Sequence, residues 1–339
     1  MIRIPNWRTL FGVAILIGFA ALILINVDLT SIRDSLVTAD YRLLPLVALI
    51  STGALFARAA RWMILLERRL SLRNAFHISN IGYMLNALLP LRAGEVSRVL
   101  LATRVSPPVP MMTTLSTILL ERLVDLLFVF GMFGFSLLVL PVEDSIEVGG
   151  VTLAVGSIVG FVVLFTFAHR RDWALAFVRF ALKTVPFLKR FHLEGRLNRF
   201  IDGLGALTSF RNFALMLISS AAAWALSVAT GYVLLHAFFA SADWSVVLLF
   251  TAMSSLVTTA AATVSYTPAG VGTYHAGVVL ALTITGFNQP EGAPVAFAIV
   301  LHALSLALYI FFGVIGLVAE KITLDELVGR VRAFVKSPA

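Results

Sequence analysis

Apolar stretches of about 20 residues, bordered by basic residues, recur along most of this 339-residue chain. That is the length a helix needs to cross the hydrocarbon core of a bilayer, where backbone amides find no water and must pair within the protein. The fold expected is an all-α polytopic membrane protein with about 7–8 membrane segments. Charged residues are 13% of the sequence, against about 25% in an ordinary soluble domain. Mean hydropathy is +0.95. A net charge of +8 would suit nucleic acid, but the basic residues mostly flank apolar segments. Topology and contact with anionic lipid explain them better, so no nucleic-acid partner is expected. The absence of Cys excludes disulfides, iron–sulfur clusters and cysteine zinc sites, and the six His show no metal-ligand spacing. No metal or cofactor is expected.

The first run, about Leu10 to Val27, is too long for a typical signal peptide and reads as a retained first span. Arg3 and Arg8 place its start in the cytoplasm. A polar loop with Asp28, Asp34 and Asp40 follows, then a second span from about Leu43 to Leu66. Glu67-Arg68-Arg69 and Arg73 put the end of that span inside. Arg58 and Arg61, near its end, read either as side chains snorkelling to the headgroups or as the lining of a polar cavity. Further spans are expected at about Met111–Leu140, Val148–Ala168, Asn212–Phe239, Ser245–Val264 and Ala293–Val318. The division expected is a first membrane half over 1–171, a basic amphipathic cytoplasmic connector over 172–210, a second half over 211–319 and a tail over 320–339.

Two interruptions look alike. Pro90-Leu91-Arg92-Ala93-Gly94-Glu95, followed by Arg98, lies in a re-entrant element near 74–104. Pro268-Ala269-Gly270-Val271-Gly272-Thr273-Tyr274-His275 lies in a broken helix near 265–287. Both keep a Pro-x-x-x-Gly spacing. Helix breakers beside ionisable groups are costly in lipid and tolerable where they line a wet cavity. Paired breaks in two corresponding halves point to a transporter's substrate site. An interfacial amphipathic hairpin is the duller reading of the first.

Around the first break, Arg92 and Arg98 offer forked donors matched to phosphate. Glu95 stands three residues from each. Glu121 and Asp125 share one face of the next helix, and Arg122 either neutralises them or bridges to Glu95. The alternative is a cytoplasmic turn with ordinary charges. At the second break, Tyr266, Gly270, Gly272, Tyr274 and His275 form a candidate anion-receiving turn, with His275 either titrating near neutrality or bonding across helices. His302 and Ser305 read as packing residues. No nucleotide loop, HExxH or GxSxG motif is present.

The run Asn86-x-x-x-Pro90-x-Arg92-Ala93-Gly94-Glu95-x-x-Arg98, with Glu121-Arg122-x-x-Asp125, resembles the lysylphosphatidylglycerol synthase transmembrane family, also described as flippase-like. Pro268-x-Gly270-x-Gly272 is similar to its later glycine-rich signature. The resemblance implies a multi-pass inner-membrane protein that translocates or handles lipids. It favours Asn86, Arg92, Glu95, Arg98, Glu121, Arg122 and Asp125 as substrate-binding residues. His275 stands where the family commonly carries an acid, which points to different substrate or coupling chemistry. About 20 residues follow the last span, so aminoacyl transfer by this polypeptide alone is not expected.

The reading is a flippase for an anionic phospholipid or isoprenoid-phosphate-linked lipid, in the cytoplasmic membrane, built from two pseudo-related halves. The alternatives are a scaffold that presents lipid to a partner transferase, and a membrane-embedded enzyme acting on lipid phosphate.

Overall fold

The computed structural model describes residues 28–89, 93–137, 144–173, 175–176, 193–239, 243–264 and 270–336. The first expected span lies outside them, as do Arg92, Tyr266 and residues 177–192 of the connector. The described secondary structure is all helical. It begins with α1 (Leu29–Thr38), where the sequence suggested a polar loop. Asp28 caps α1: its carboxylate accepts the Thr30 amide at 3.2 Å and the Thr30 hydroxyl. Those bonds hold the Asp28 carboxyl below its ordinary range. Ile32 then packs on Val295 and Ala296, which gives the short helix a footing that composition alone did not disclose.

The order continues α2 (Leu44–Leu65), α3 (Leu72–Leu88), α4 (Ala93–Ala102), α5 (Met111–Leu137), α6 (Asp144–His169), α7 (Leu193–Asp202), α8 (Phe210–Phe238), α9 (Trp244–Val264), α10 (Thr273–Ile284), α11 (Ala293–Ala319) and α12 (Leu324–Lys336). Among the described residues, three stretches are long and apolar enough to cross a membrane: Tyr41–Leu65, Phe210–Phe238 and Ala293–Ala319. Shorter apolar stretches occur at Ile158–His169, Val246–Ser255 and Thr273–Ile284. The outer surface is apolar, with Leu49, Val159, Ile218 and Phe311 each more than half exposed, while charged side chains such as Arg61 and Glu121 are buried. This inversion of the soluble pattern is what lipid as solvent demands.

The two ends of the bundle differ in charge. At one end lie the Glu67–Arg69 turn, the α6 terminus, α7 and α12. Arg68 bonds Asn212 at 3.2 Å, Arg171 bonds Asp202 at 3.0 Å and Arg104 pairs with Glu326 at 3.7 Å. Leu66, Leu70, Leu317 and Leu327 share one apolar cluster there. The C-terminal helix α12 therefore sits at the same basic end as the α2–α3 turn, a relation the sequence left open. At the other end lie α1 and the end of α8, where the Asp40 amide donates to the Ala237 carbonyl at 3.0 Å.

Residues 90–92 and 265–269 of the two expected interruptions lie outside the described residues; the helices described on either side of them are α3 and α4, and α9 and α10. The α3–α4 pair folds back on itself, and Ala75, Leu101 and Ala102 join the cluster at the basic end. The α9–α10 pair folds back the other way. Val247, Leu282 and Phe287 share a cluster with Phe239 at the opposite end, and Phe287 and Phe239 rings meet at 5.1 Å.

Candidate functional site

Arg58 and Arg61 lie one turn apart on α2 and meet different partners. Arg61 is 3% exposed. Its NH1 donates to Asp125 Oδ1 at 2.6 Å and its NH2 to Oδ2 at 3.1 Å, the forked geometry that makes arginine–carboxylate pairs strong. NH1 also reaches Ser220 Oγ at 3.4 Å, and Nε stands 3.8 Å from Glu121 Oε1. Snorkelling does not describe Arg61, because its partners are inside the bundle. Glu121 and Asp125 lie one turn apart on α5, as their spacing of four predicts, and both face α2.

Glu121 also holds Arg98, whose NH2 donates to Oε2 at 2.8 Å. The Arg98 guanidinium lies 4.1 Å above the Trp62 ring, and the Trp62 indole donates to Thr117 Oγ1 at 3.2 Å. Arg98 is itself 3% exposed. The fork expected to face a lipid phosphate is turned into an ion pair and an aromatic face. Arg122 bridges to Glu95, one of its two readings, with NH2 to Oε1 at 3.4 Å, and stays half-buried. Three guanidiniums and three carboxylates on α2, α4 and α5 therefore form one cluster. Removing one member of such a buried pair strands the other, which costs far more than the pair contributes over apolar packing.

Asn86 is brought to the first break, where its Oδ1 accepts the Gly94 amide at 2.7 Å. This closes the α3–α4 turn across the gap. A Cβ on Gly94 would stand 1.9 Å from the Gly82 carbonyl oxygen, so only glycine permits that contact.

At the second break, Gly270 and Gly272 take positive φ of 66° and 90°, a conformation glycine adopts without steric cost. The turn brings the Gly272 amide to His275 Nδ1 at 3.4 Å. His302 Nδ1 lies 3.3 Å from His275 Nε2, and Tyr274 stacks on His302 at 4.3 Å. With Nδ1 accepting from Gly272, a neutral His275 carries its proton on Nε2 and donates to His302. His275 thus makes the cross-helix bond that was one of its two readings.

The two sequence sites do not merge; they flank a cavity of about 200 Å³ between α2, α8, α9, α10 and α11. Its hydroxyls include Ser51, Ser227, Thr230, Thr251, Ser305 and Tyr309, and Arg58 is the charged residue among its lining. Trp224 joins the cavity to the ion cluster: its ring lines the space and its Nε1 donates to Asp125 Oδ1 at 3.2 Å. Tyr274 lines the cavity from the second break. Motif reasoning concentrated on the breaks and missed Trp62, Trp224, Ser227 and Tyr309. The signal available was the pair of arginines inside an apolar span, since an intramembrane charge is a functional candidate by default.

The chain matches the family described as the lysylphosphatidylglycerol synthase TM region over residues 9–313. That interval takes in both breaks, the ion cluster and the cavity. Comparison with curated proteins finds no match.

Proposed function

Because the chain belongs to the lysylphosphatidylglycerol synthase TM-region family, whose membrane region is a non-catalytic, flippase-like module, we propose that it translocates a lipid with an anionic headgroup, phospholipid or isoprenoid-phosphate-linked. The observation that carries this reading is the hydroxyl-lined cavity with a cation in its wall, set inside a bundle whose exterior is apolar. A headgroup entering such a space exchanges water for hydroxyl and guanidinium partners, while its tails stay in hydrocarbon. That avoids much of the several kcal/mol otherwise lost on desolvating a polar group.

In this reading the α3–α4 and α9–α10 pairs are re-entrant elements, and motion of one part of the bundle against the other alternates access to the cavity. The cluster of Arg61, Arg98, Glu121 and Asp125 ties α2, α4 and α5 into one moving body. Arg122 and Glu95 extend it toward the surface, and Arg92, beside them in sequence, is the further arginine proposed to meet arriving headgroups. The His275–His302 pair holds the second break against α11. The basic end faces the cytoplasm by the positive-inside rule, and the protein resides in the cytoplasmic membrane.

The test is headgroup movement in proteoliposomes carrying labelled anionic, zwitterionic and isoprenoid-phosphate lipids. Ser227→Leu, which fills the cavity without touching the ion cluster, is expected to slow movement at least tenfold while unfolding normally. Undiminished movement by that variant would remove the cavity from the path. No movement by well-folded protein across the whole panel, together with a co-purifying transferase, would instead support the scaffold reading.

A further inference from the structure

His275 stands in the first turn of α10 and caps that helix from within. Its Nδ1 accepts the amide of Gly272, the residue just before the helix, at 3.4 Å. Glu or Gln ordinarily makes this return bond from the third helical position, and neither loses its acceptor near neutral pH. An imidazole does, because a proton added to a neutral ring goes to the nitrogen that was accepting. The other ring nitrogen is engaged as well: His275 Nε2 stands 3.3 Å from His302 Nδ1 on α11. With His275 donating from Nε2, His302 accepts at Nδ1 and carries its own proton on Nε2. Both imidazole lone pairs are thus engaged in holding the turn closed.

We propose that the His275–His302 pair binds one proton, and that this proton unlatches the second break. The proton arrives on His275 Nδ1 and ends the bond from the Gly272 amide. The proton that His275 held on Nε2 can then pass to His302 Nδ1, which makes His302 the imidazolium and leaves His275 neutral with its proton on Nδ1. Wherever the charge rests, His275 Nδ1 has become a donor and Gly272 has lost its acceptor. Acid therefore favours the open turn. One proton is the limit, since two imidazolium rings in this contact repel.

The turn is built to move once released. Gly270 and Gly272, at φ of 66° and 90°, reach other backbone conformations without steric cost. Tyr274 carries the movement to the cavity, because its ring stacks on His302 at 4.3 Å and also lines that space. The same stack receives the charge: a cation within about 6 Å of a tyrosine ring centre is attracted to its face. Ionisable neighbours are sparse. Between Trp244 and Val264, α9 contains none. Tyr309 on α11 lies within electrostatic reach of Tyr274, and it meets Tyr83 of α3 and Arg58 of α2. On α8, Tyr232 and His236 stack on each other, and Tyr232 also on Trp244. Arg33 and Asp34 of α1 are exposed. The latch belongs to the turn and holds whether or not the cavity carries lipid; under the translocation reading, on which its purpose rests, it makes opening of the second break depend on a proton.

The chain has no Cys, so a nitroxide spin label at Val271→Cys, between the two glycines and 39% exposed, reports on the turn in the full chain in nanodiscs. The mobile fraction of the label is expected to be at least twofold larger at about pH 5 than at about pH 8, the interval in which imidazole titrates. Nitrogen-15 NMR of labelled histidines should show one imidazolium forming at the pair over the interval in which the label is released. His275→Gln combined with His302→Gln keeps an acceptor for Gly272 and a donor between the helices but titrates nowhere in that interval. Its label is expected to stay restricted at both pH values. His302→Gln alone leaves His275 Nδ1 to take the proton and is expected to respond.

A parent label indifferent to pH overturns the latch, and so does a double variant that responds like the parent. If the double variant fails gel filtration at about pH 8, the parent's NMR decides: label release without an imidazolium at the pair overturns the assignment, and coincident release supports it. Loss of the response in His302→Gln alone overturns the entry of the proton at His275. Headgroup movement in proteoliposomes is a separate readout. A responding label with no movement of any lipid leaves the latch standing and rejects translocation, whereas movement indifferent to pH beside a responding label overturns the role of the latch in transport.

Discussion

Trp224 donates its indole proton to the same Asp125 oxygen that Arg61 grips. The indole ring also forms part of the cavity wall. One carboxylate thus fixes both the ion cluster on α2 and α5 and the wall on α8, and disturbance at either place reaches the other through a single atom.

Asp125→Ala removes the forked partner of buried Arg61 and leaves it the longer contacts to Glu121 at 3.8 Å and Ser220 at 3.4 Å. Stability is expected to fall by about 3–5 kcal/mol, read as a lower unfolding midpoint in detergent. The double variant Arg61→Leu with Asp125→Leu removes both charges and should recover a large part of the loss. An Asp125→Ala protein as stable as the parent would show that Arg61 finds water or another partner, and the cluster would lose its role as a tie.

The Trp62 face under Arg98 makes a separable contribution. Trp62→Phe keeps a ring beneath the guanidinium and loses the bond to Thr117, a cost of about 0.5–1.5 kcal/mol. Trp62→Leu loses the ring as well and should cost about 0.5–2 kcal/mol more. If both substitutions unfold at the same midpoint, the guanidinium–indole contact contributes nothing measurable.

Gly94→Ala drives a methyl into the Gly82 carbonyl and the Asn86 side chain. The α3–α4 turn must open, at a cost of about 1–3 kcal/mol or more. Gly134→Ala is the matched control, because nothing lies within 4 Å of its added carbon and alanine favours the helix by about 1 kcal/mol. Equal stability of the two variants would contradict the close approach at Gly94.

The chain has no Cys, so single cysteines report topology against a silent background. Cysteines at Arg69 and Arg332, both exposed at the basic end, should react with a membrane-impermeant maleimide from the cytoplasmic side. A cysteine at Asp34, exposed on α1, should react from the other side. Labelling of positions 69 and 332 from opposite faces would break the shared-end arrangement; joint labelling from outside would invert the orientation.

Helix positions were legible because burial in lipid leaves a long apolar signature: α2, α5, α8, α9 and α11 fall within a few residues of their expected bounds. The Glu121–Asp125 face was legible because helix periodicity fixes it, whereas the Arg122–Glu95 bridge, across 27 residues and two helices, was only one of two readings. Arg61 and Trp224 were not, since they meet Asp125 across 64 and 99 residues and local pattern carries no record of such pairing. α1 escaped notice for a similar reason: its footing is Val295 and Ala296 on a distant helix. Arg58 was visible as a charge in an apolar run, but its place in the cavity wall beside Ser227, on a helix 169 residues away, was not.

The three-to-three balance of the ion cluster bears on voltage. Each unit charge carried through the membrane field changes energy by about 2.3 kcal/mol per 100 mV. Six ionised groups that sum to zero give the field no grip, so a body carrying them can rock without electrical work.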